Sequence, residues 1–174
     1  MSNLLRELTG LFYDDLQSLG EIEPVEASDL PAAYQSLLAH HDHMTVTVEA
    51  WHNSMVDVKV LGEKRVDASY SRKILLVTQR DNQPVQLGIV RIDLARLPEI
   101  VRLEIESQAL PLGRIMIRHH LMREVELCQL WRVKPGPDLR LCLELEEDTA
   151  IFGRTARILV DGQPTMELLE IVRA

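Results

Sequence analysis

The sequence has few aromatic residues, few cysteines and no long hydrophobic run. Two Trp, three Tyr and two Phe make up only 4% of the 174 residues, so the core must be built from Leu, Ile and Val. Cys128 and Cys142 have neither C-x-x-C nor zinc-site spacing, and we interpret both as small buried residues. No segment approaches the ~18 apolar residues of a transmembrane helix, and the N-terminus lacks a signal-peptide pattern. We therefore expect a cytoplasmic protein.

The sequence also has fewer basic than acidic residues. Acidic residues outnumber basic ones by 27 to 19, for a formal net charge of -8. Such a charge opposes binding to nucleic-acid phosphates and to anionic membranes, so neither is a predicted partner. A small anion is still compatible, because one buried arginine can dominate the field of a pocket. The length predicts one domain over residues 1–174.

Several motifs of enzyme chemistry are missing. The sequence contains no G-x-S-x-G, no G-x-G-x-x-G and no P-loop, so a serine triad and a nucleotide cofactor are not predicted. Two histidine clusters, His40-His41-Asp42-His43 and His119-His120, lack the spacing of a metal motif. We predict neither a metal nor an organic cofactor. Gly113-Arg114 and Gly153-Arg154 are isolated pairs that we interpret as turn features.

Hydrophobic periodicity predicts an α+β fold in which helices pack on an antiparallel sheet of about six strands. Helices are predicted at 4–19, 29–38, 98–108 and 112–121, with a polar linker at 21–28. A period of two predicts strands at 56–60, 70–79, 85–94, 125–133, 139–145, 154–160 and 165–172. Asp161-Gly162 is a hairpin turn signal. By propensity alone, the β-branched segment 44–48 is also a strand.

Two charged residues lie inside apolar strands. Arg72 shares a strand face with Ile74 and Leu76, and Glu170 lies in the apolar closing strand. Burying either charge without a partner costs several kcal/mol. Two interpretations remain open: Arg72 and Glu170 pair with each other, or both face a ligand that separates them.

Five short segments, in order, resemble those of the chorismate lyase family and span roughly residues 35 to 172. They are Leu37-Leu38 with His43-Met44-Thr45, the strand 70–76 around Arg72, Pro111-Leu112-Gly113-Arg114, the segment 152–158 with the turn 161–164, and the closing strand with Glu170. The resemblance implies an antiparallel six-stranded sheet and a ligand cavity closed by helical flaps. It also implies a monomer, since the family's pocket is completed within one chain. It also implies that Met44 begins a helix.

The resemblance further implies a cofactor-independent lyase that eliminates pyruvate from chorismate to give 4-hydroxybenzoate, a precursor in ubiquinone biosynthesis. Arg72 would clamp the carboxylate, Glu170 would handle protons as the second catalytic residue, and Met44 and Leu112 would line the substrate pocket. The alternative is a non-catalytic binder of an aromatic or cyclohexadienyl carboxylate, since ligand-sensing domains of some transcription regulators share this fold.

Two departures from the family pattern bear on the site. The spacing from Pro164 to Glu170 is one residue longer than in the lyases, which leaves Glu167 as a rival to Glu170. In a regular strand, however, two residues three positions apart lie on opposite faces. Leu87-Gly88-Ile89 stands where the lyases carry a second basic residue.

Overall fold

The computed structural model describes residues 2–121, 123–146 and 149–174. Within these ranges, seven antiparallel strands form one sheet in the order β1-β5-β6-β7-β4-β3-β2. The strands are β1 Gly20–Val25, β2 Val56–Val66, β3 Ser69–Thr78, β4 Pro84–Asp93, β5 Arg123–Pro135, β6 Ile151–Val160 and β7 Gln163–Val172. The helices are α1 Asn3–Thr9, α2 Ala32–Leu38, α3 Met44–His52, α4 Glu99–Glu106, α5 Leu112–Arg118 and α6 Pro137–Leu143. None of the described helices is long and apolar enough to cross a membrane.

Helices cover both faces of the sheet. One face packs against α1 and α6 through a cluster of leucines around Trp131. The other face packs against α4 and α5 in one apolar cluster and against α2 and α3 in a second. Because β3 and β4 are covered on both sides, their side chains are buried almost without alternation. The two clusters on the second face leave a cavity between them.

The predicted α+β class and the two predicted hairpins are confirmed. The turn 80–83 joins β3 to β4, and the pairing of these strands is antiparallel as expected. Asp161 and Gly162 join β6 to β7 with φ angles of 51° and 73°. Two consecutive residues with positive φ match the right-handed twist of a hairpin, and Asp-Gly tolerates that conformation well. Turn chemistry therefore located this hairpin correctly.

Relative to the predictions, the structure gains one strand and loses another. The segment predicted as a polar linker contains β1, an edge strand that pairs only with β5 and is mostly exposed. An edge strand is held by backbone hydrogen bonds on one side and needs no apolar alternation, so its sequence carries little signal. The strand predicted at 139–145 is instead helix α6. Leu139 and Leu143 are buried four residues apart, whereas Leu141 between them is 80% exposed, and Pro137 occupies the first turn.

One helix prediction and one strand prediction are also corrected. The helix predicted from Leu4 to Leu19 ends at Thr9, because Gly10 is a poor helix former and follows as the C-cap. A single 3-10 turn at Leu16–Ser18 replaces its second half. The strand propensity of 44–48 is overridden, since Met44 and Val48 bury one face of α3. The helix that the family resemblance implied at Met44 is thus confirmed.

A candidate ligand cavity on the sheet

A cavity lies between the two apolar clusters on the face covered by α2 to α5. Strands β3, β4, β6 and β7 form its floor, and the first residues of α3 and α5 form its roof. All four predicted ligand-contact residues, Arg72, Met44, Leu112 and Glu170, line it. The cavity volume is about 50 Å³, several times the roughly 10–15 Å³ that one water needs, so the cavity suits a small ligand.

The strand register arranges the floor in rows. In the middle row, Ile74 on β3 pairs with Gly88 on β4, and Gly88 pairs with Glu170 on β7. Arg72 lies one row to one side of Gly88, and Gln86 lies one row to the other. A Cβ atom at Gly88 would approach Ile74 Cδ1 to 3.0 Å. The side chain of Ile74 therefore packs close over Gly88 in the centre of the floor, between Arg72 and Gln86.

Arg72 is buried in the cavity with its charge largely unmatched. The residue is 1% exposed, its Nη1 donates to the carbonyl oxygen of Ile105 at 3.4 Å, and its Nε has no hydrogen-bond partner. Among the described residues, no carboxylate forms an ion pair with it. Burial lowers the pKa of the Arg72 guanidinium, and the neighbouring Tyr70 offsets this effect only in part. An anion in the cavity would relieve this desolvation.

Glu170 pairs with Arg154, not with Arg72. Arg154 Nε donates to Glu170 Oε2 at 2.7 Å, and both side chains are buried. The remaining donors of Arg154 reach the loop between α2 and α3, at the carbonyl oxygens of His40 (2.9 Å) and Asp42 (3.1 Å). The first of the two interpretations left open by the sequence, a direct Arg72–Glu170 pair, is therefore wrong.

Arg154 is a site residue that the sequence interpretation missed. It lies inside β6 and not in a turn, and the strand register places it directly beside Glu170. A signal was available in principle, because Arg154 is a charged residue in an apolar strand, as Arg72 is. What the sequence could not supply was the register between β6 and β7.

Glu167, the rival to Glu170, lies on the other side of the sheet. Its Oε2 accepts a hydrogen bond from Arg91 Nε at 2.9 Å, and its Oε1 is 3.5 Å from Arg157 Nε. Glu167 does not line the cavity, whereas Glu170 does. The opposite orientation of residues three positions apart in a strand is the expected result.

The roof depends on a close approach between α3 and α5. A Cβ atom at Gly113 would lie 2.7 Å from Thr45 Oγ1, so only glycine lets the two helix starts pack this closely. An ion pair between Arg114 and Glu49 joins the same helices. The isolated Gly113-Arg114 pair is therefore part of a helix–helix contact inside α5, not a turn feature. It closes the cavity where the family resemblance implied a helical flap.

The histidine clusters have other roles in the described part of the chain. His40 Nε2 is 2.7 Å from the Leu37 carbonyl oxygen, and His41 Nδ1 is 2.9 Å from that of Val125. Burial, and then the charge of Arg154, lower the pKa of His40. Across residues 2–121, 123–146 and 149–174, no three His, Cys, Asp or Glu side chains are grouped closely enough to hold a metal ion.

Comparison with known proteins identifies the fold of the chain. No sequence-family model matches the chain, and no curated protein matches it in sequence. The structure is similar to PhnF from Mycobacterium smegmatis, with a TM-score of 0.56 and 12% identity over 76% of this chain. The match spans 64% of the PhnF chain, less than two thirds of its length. The separately solved effector domain of PhnF matches with a TM-score of 0.57 and 12% identity, over 76% of this chain and 89% of that domain.

A third solved structure has the same architecture. It is the ligand-binding domain of a protein described as a GntR-family transcriptional regulator from Bordetella bronchiseptica, with a TM-score of 0.51 and 12% identity over 68% of this chain and 86% of that domain. At this identity the likeness establishes the fold alone. The chain thus has the α+β, chorismate lyase-like fold of GntR-family effector and ligand-binding domains.

The prediction of a chorismate lyase is corrected by these findings. The similar solved structures are effector and ligand-binding domains of regulators, so the enzyme class, chorismate as substrate and a role in ubiquinone biosynthesis are wrong as predictions. A shared fold and a shared cavity do not imply a shared reaction. The short motifs had identified the cavity and not the chemistry.

Proposed function

We propose that this chain is a non-catalytic effector-binding domain of a transcriptional regulator, and that a small organic anion binds in the cavity without being transformed. We include residues 1–174 in this one domain, since a continuous sheet extends from Gly20 to Val172. Effector binding would then change the conformation or assembly of the regulator. The finer ligand class is a small carboxylate with an aromatic or cyclohexadienyl ring.

The observation that carries the proposal is the buried, unmatched guanidinium of Arg72. A planar guanidinium forms paired hydrogen bonds with a carboxylate, which also supplies the missing charge. Around it the cavity is apolar, with Ile74, Val90 and Leu168 among the lining residues. Apolar walls with one fixed charged group are typical of sites for small organic acids. Met44 and Leu112 would contact the ring from the roof.

Binding of benzoate to the purified protein, followed by isothermal titration calorimetry, tests the proposal. Benzoate should bind the wild-type protein, and Arg72→Met should weaken binding by at least about 30-fold, because a charged hydrogen-bonded contact contributes roughly 2 kcal/mol or more. Methionine removes the charge at similar length. It also removes an unpaired buried charge, so the melting temperature of the free variant should not fall.

Arg157→Met is the matched control, since Arg157 lies on β6 with a side chain that is 39% exposed and should not affect benzoate binding. Equal affinity of wild-type and Arg72→Met protein for benzoate, or no binding to either, would contradict the proposal. Incubation with chorismate should release no pyruvate, which separates a binder from a lyase directly.

A further inference from the structure

Gln86 is a second buried polar residue of the cavity whose hydrogen bonding is incomplete. It is 4% exposed and lines the cavity from β4. Its Oε1 atom has no hydrogen-bond partner. Among the described residues, the buried side-chain nitrogen and oxygen atoms without a partner are Arg72 Nε and Gln86 Oε1. Both unsatisfied atoms therefore belong to residues that line the same cavity.

The two residues lie at opposite ends of the cavity floor. Arg72 pairs with Val90 and Leu76 pairs with Gln86, so Arg72 and Gln86 are two rows apart on neighbouring strands. Four residues of strand separate the two rows, about 13 Å at a rise of roughly 3.3 Å per residue. Gly88 lies midway and contributes no side chain. The floor thus has a basic group at one end, an amide at the other, and a glycine under the side chain of Ile74 between them.

A buried amide oxygen without a partner is costly, and native proteins retain few of them. Leucine or methionine would fill the same volume without that cost. The simplest physical role for Gln86 is to satisfy a polar group that the free protein does not contain. Glu170 also borders the cavity from β7, and its Oε2 accepts a hydrogen bond from Arg154. Among the described residues, Gln86 Oε1 is the fully buried acceptor oxygen of the cavity that has no partner.

We propose that Gln86 accepts a hydrogen bond from a second polar group of the ligand, at the end opposite the anion bound by Arg72. The inference rests on the proposed function and narrows the ligand class. The ligand is a small acid that carries a hydroxyl or amino group across a ring or short carbon frame from its carboxylate. An acid without that group leaves the Gln86 oxygen unsatisfied and binds less tightly.

Calorimetric titration of the full chain with benzoate and with 4-hydroxybenzoate tests the inference, since these probes differ only in the distal hydroxyl. The wild-type protein should prefer 4-hydroxybenzoate by about fivefold to tenfold. Gln86→Met should reduce this ratio to about one while retaining affinity for benzoate. Gln79 is the exposed residue that directly follows β3. Gln79→Met is therefore the matched control and should keep the wild-type ratio.

Thermal unfolding without ligand provides a second measurement that does not depend on the choice of acid. Gln86→Met removes an unsatisfied buried oxygen, so the melting temperature should rise by about 2–5 °C. A fall in melting temperature would show that Gln86 stabilises the free fold, and it would overturn the inference. A wild-type ratio retained in Gln86→Met would overturn it as well. If Arg72→Met weakens both acids in that case, the proposed function stands and only the role of Gln86 fails; if neither acid binds the wild-type protein, both fail.

Discussion

The buried ion pair between Arg154 and Glu170 should hold the roof of the cavity on the sheet. Arg154→Met removes the 2.7 Å bond to Glu170 and the hydrogen bonds to the carbonyl oxygens of His40 and Asp42. Removing one partner of a buried pair leaves an uncompensated charge, which typically costs 3–5 kcal/mol, so we expect about that loss in the free energy of unfolding. Glu170→Gln keeps a hydrogen-bond acceptor and should cost less, about 1–3 kcal/mol.

Urea unfolding at pH 7, followed by circular dichroism, measures these losses. The double variant Arg154→Met/Glu170→Met lacks both charges and should be more stable than the summed losses of the single variants Arg154→Met and Glu170→Met predict, by about 2 kcal/mol or more. Native-state hydrogen exchange should show faster exchange at residues 39–43 in Arg154→Met, because the loop loses its hydrogen-bond donors. The control Arg157→Met breaks only long, exposed contacts and should cost less than about 1 kcal/mol. A loss below about 1 kcal/mol in Arg154→Met, or additive single losses, would refute the assignment of a roof-holding pair.

Two further predictions concern the roof and the opposite face of the sheet. Gly113→Ala should destabilise the fold by about 1–2 kcal/mol, because its Cβ would lie 2.7 Å from Thr45 Oγ1 and this overpacking outweighs the gain in helix propensity. Adding Thr45→Ala to the same chain should recover most of the lost free energy of unfolding, measured in urea. A double variant as unstable as Gly113→Ala would argue against this contact. Burial raises the pKa of Asp138, but hydrogen bonds from Lys73 (2.7 Å) and Tyr13 outweigh it and the pKa is lowered. Since the folded pKa lies below the unfolded value of about 3.9, the carboxylate stabilises the fold above that pH and loses this effect as the pH falls through the folded pKa. Asp138→Asn should therefore lower the free energy of unfolding by about 1–3 kcal/mol at pH 7, and by progressively less below about pH 4 in the same unfolding assay. A stability difference between the wild-type protein and the variant that does not change with pH would contradict the proposed origin.

Local sequence features predicted those parts of the fold that local physics decides. The Asp161-Gly162 hairpin follows from backbone conformations that few other residue pairs tolerate. Helices α4 and α5 lie within the ranges predicted from their apolar spacing. Helix α6 was mistaken for a strand because leucines at every second position also place two leucines four residues apart. Only the burial of Leu139 and Leu143 against the sheet, with Leu141 in solvent, selects the helix.

The function was harder to predict than the fold for a related reason. A lyase and a binder with this fold both require an arginine on the sheet and helices over it, so motifs that build the cavity do not separate the two classes. The whole fold, and not any short motif, carries the likeness to effector and ligand-binding domains of regulators.

The sequence by itself determined the α+β class, the main hairpins and the anomaly of Arg72, since these depend on side-chain alternation and turn chemistry over a few neighbouring residues. The tertiary structure alone decided that Arg154 pairs with Glu170, that Gln86 and Arg72 keep unsatisfied atoms, and that Ile74 packs over Gly88 between them. These facts depend on strand register, including the bulge between Ile158 and Leu159 in the β6–β7 hairpin, and on the side chains that the folded sheet places around each group. Register is set by the packing of the whole sheet, and it decides which buried polar groups meet a partner and which are left for a ligand.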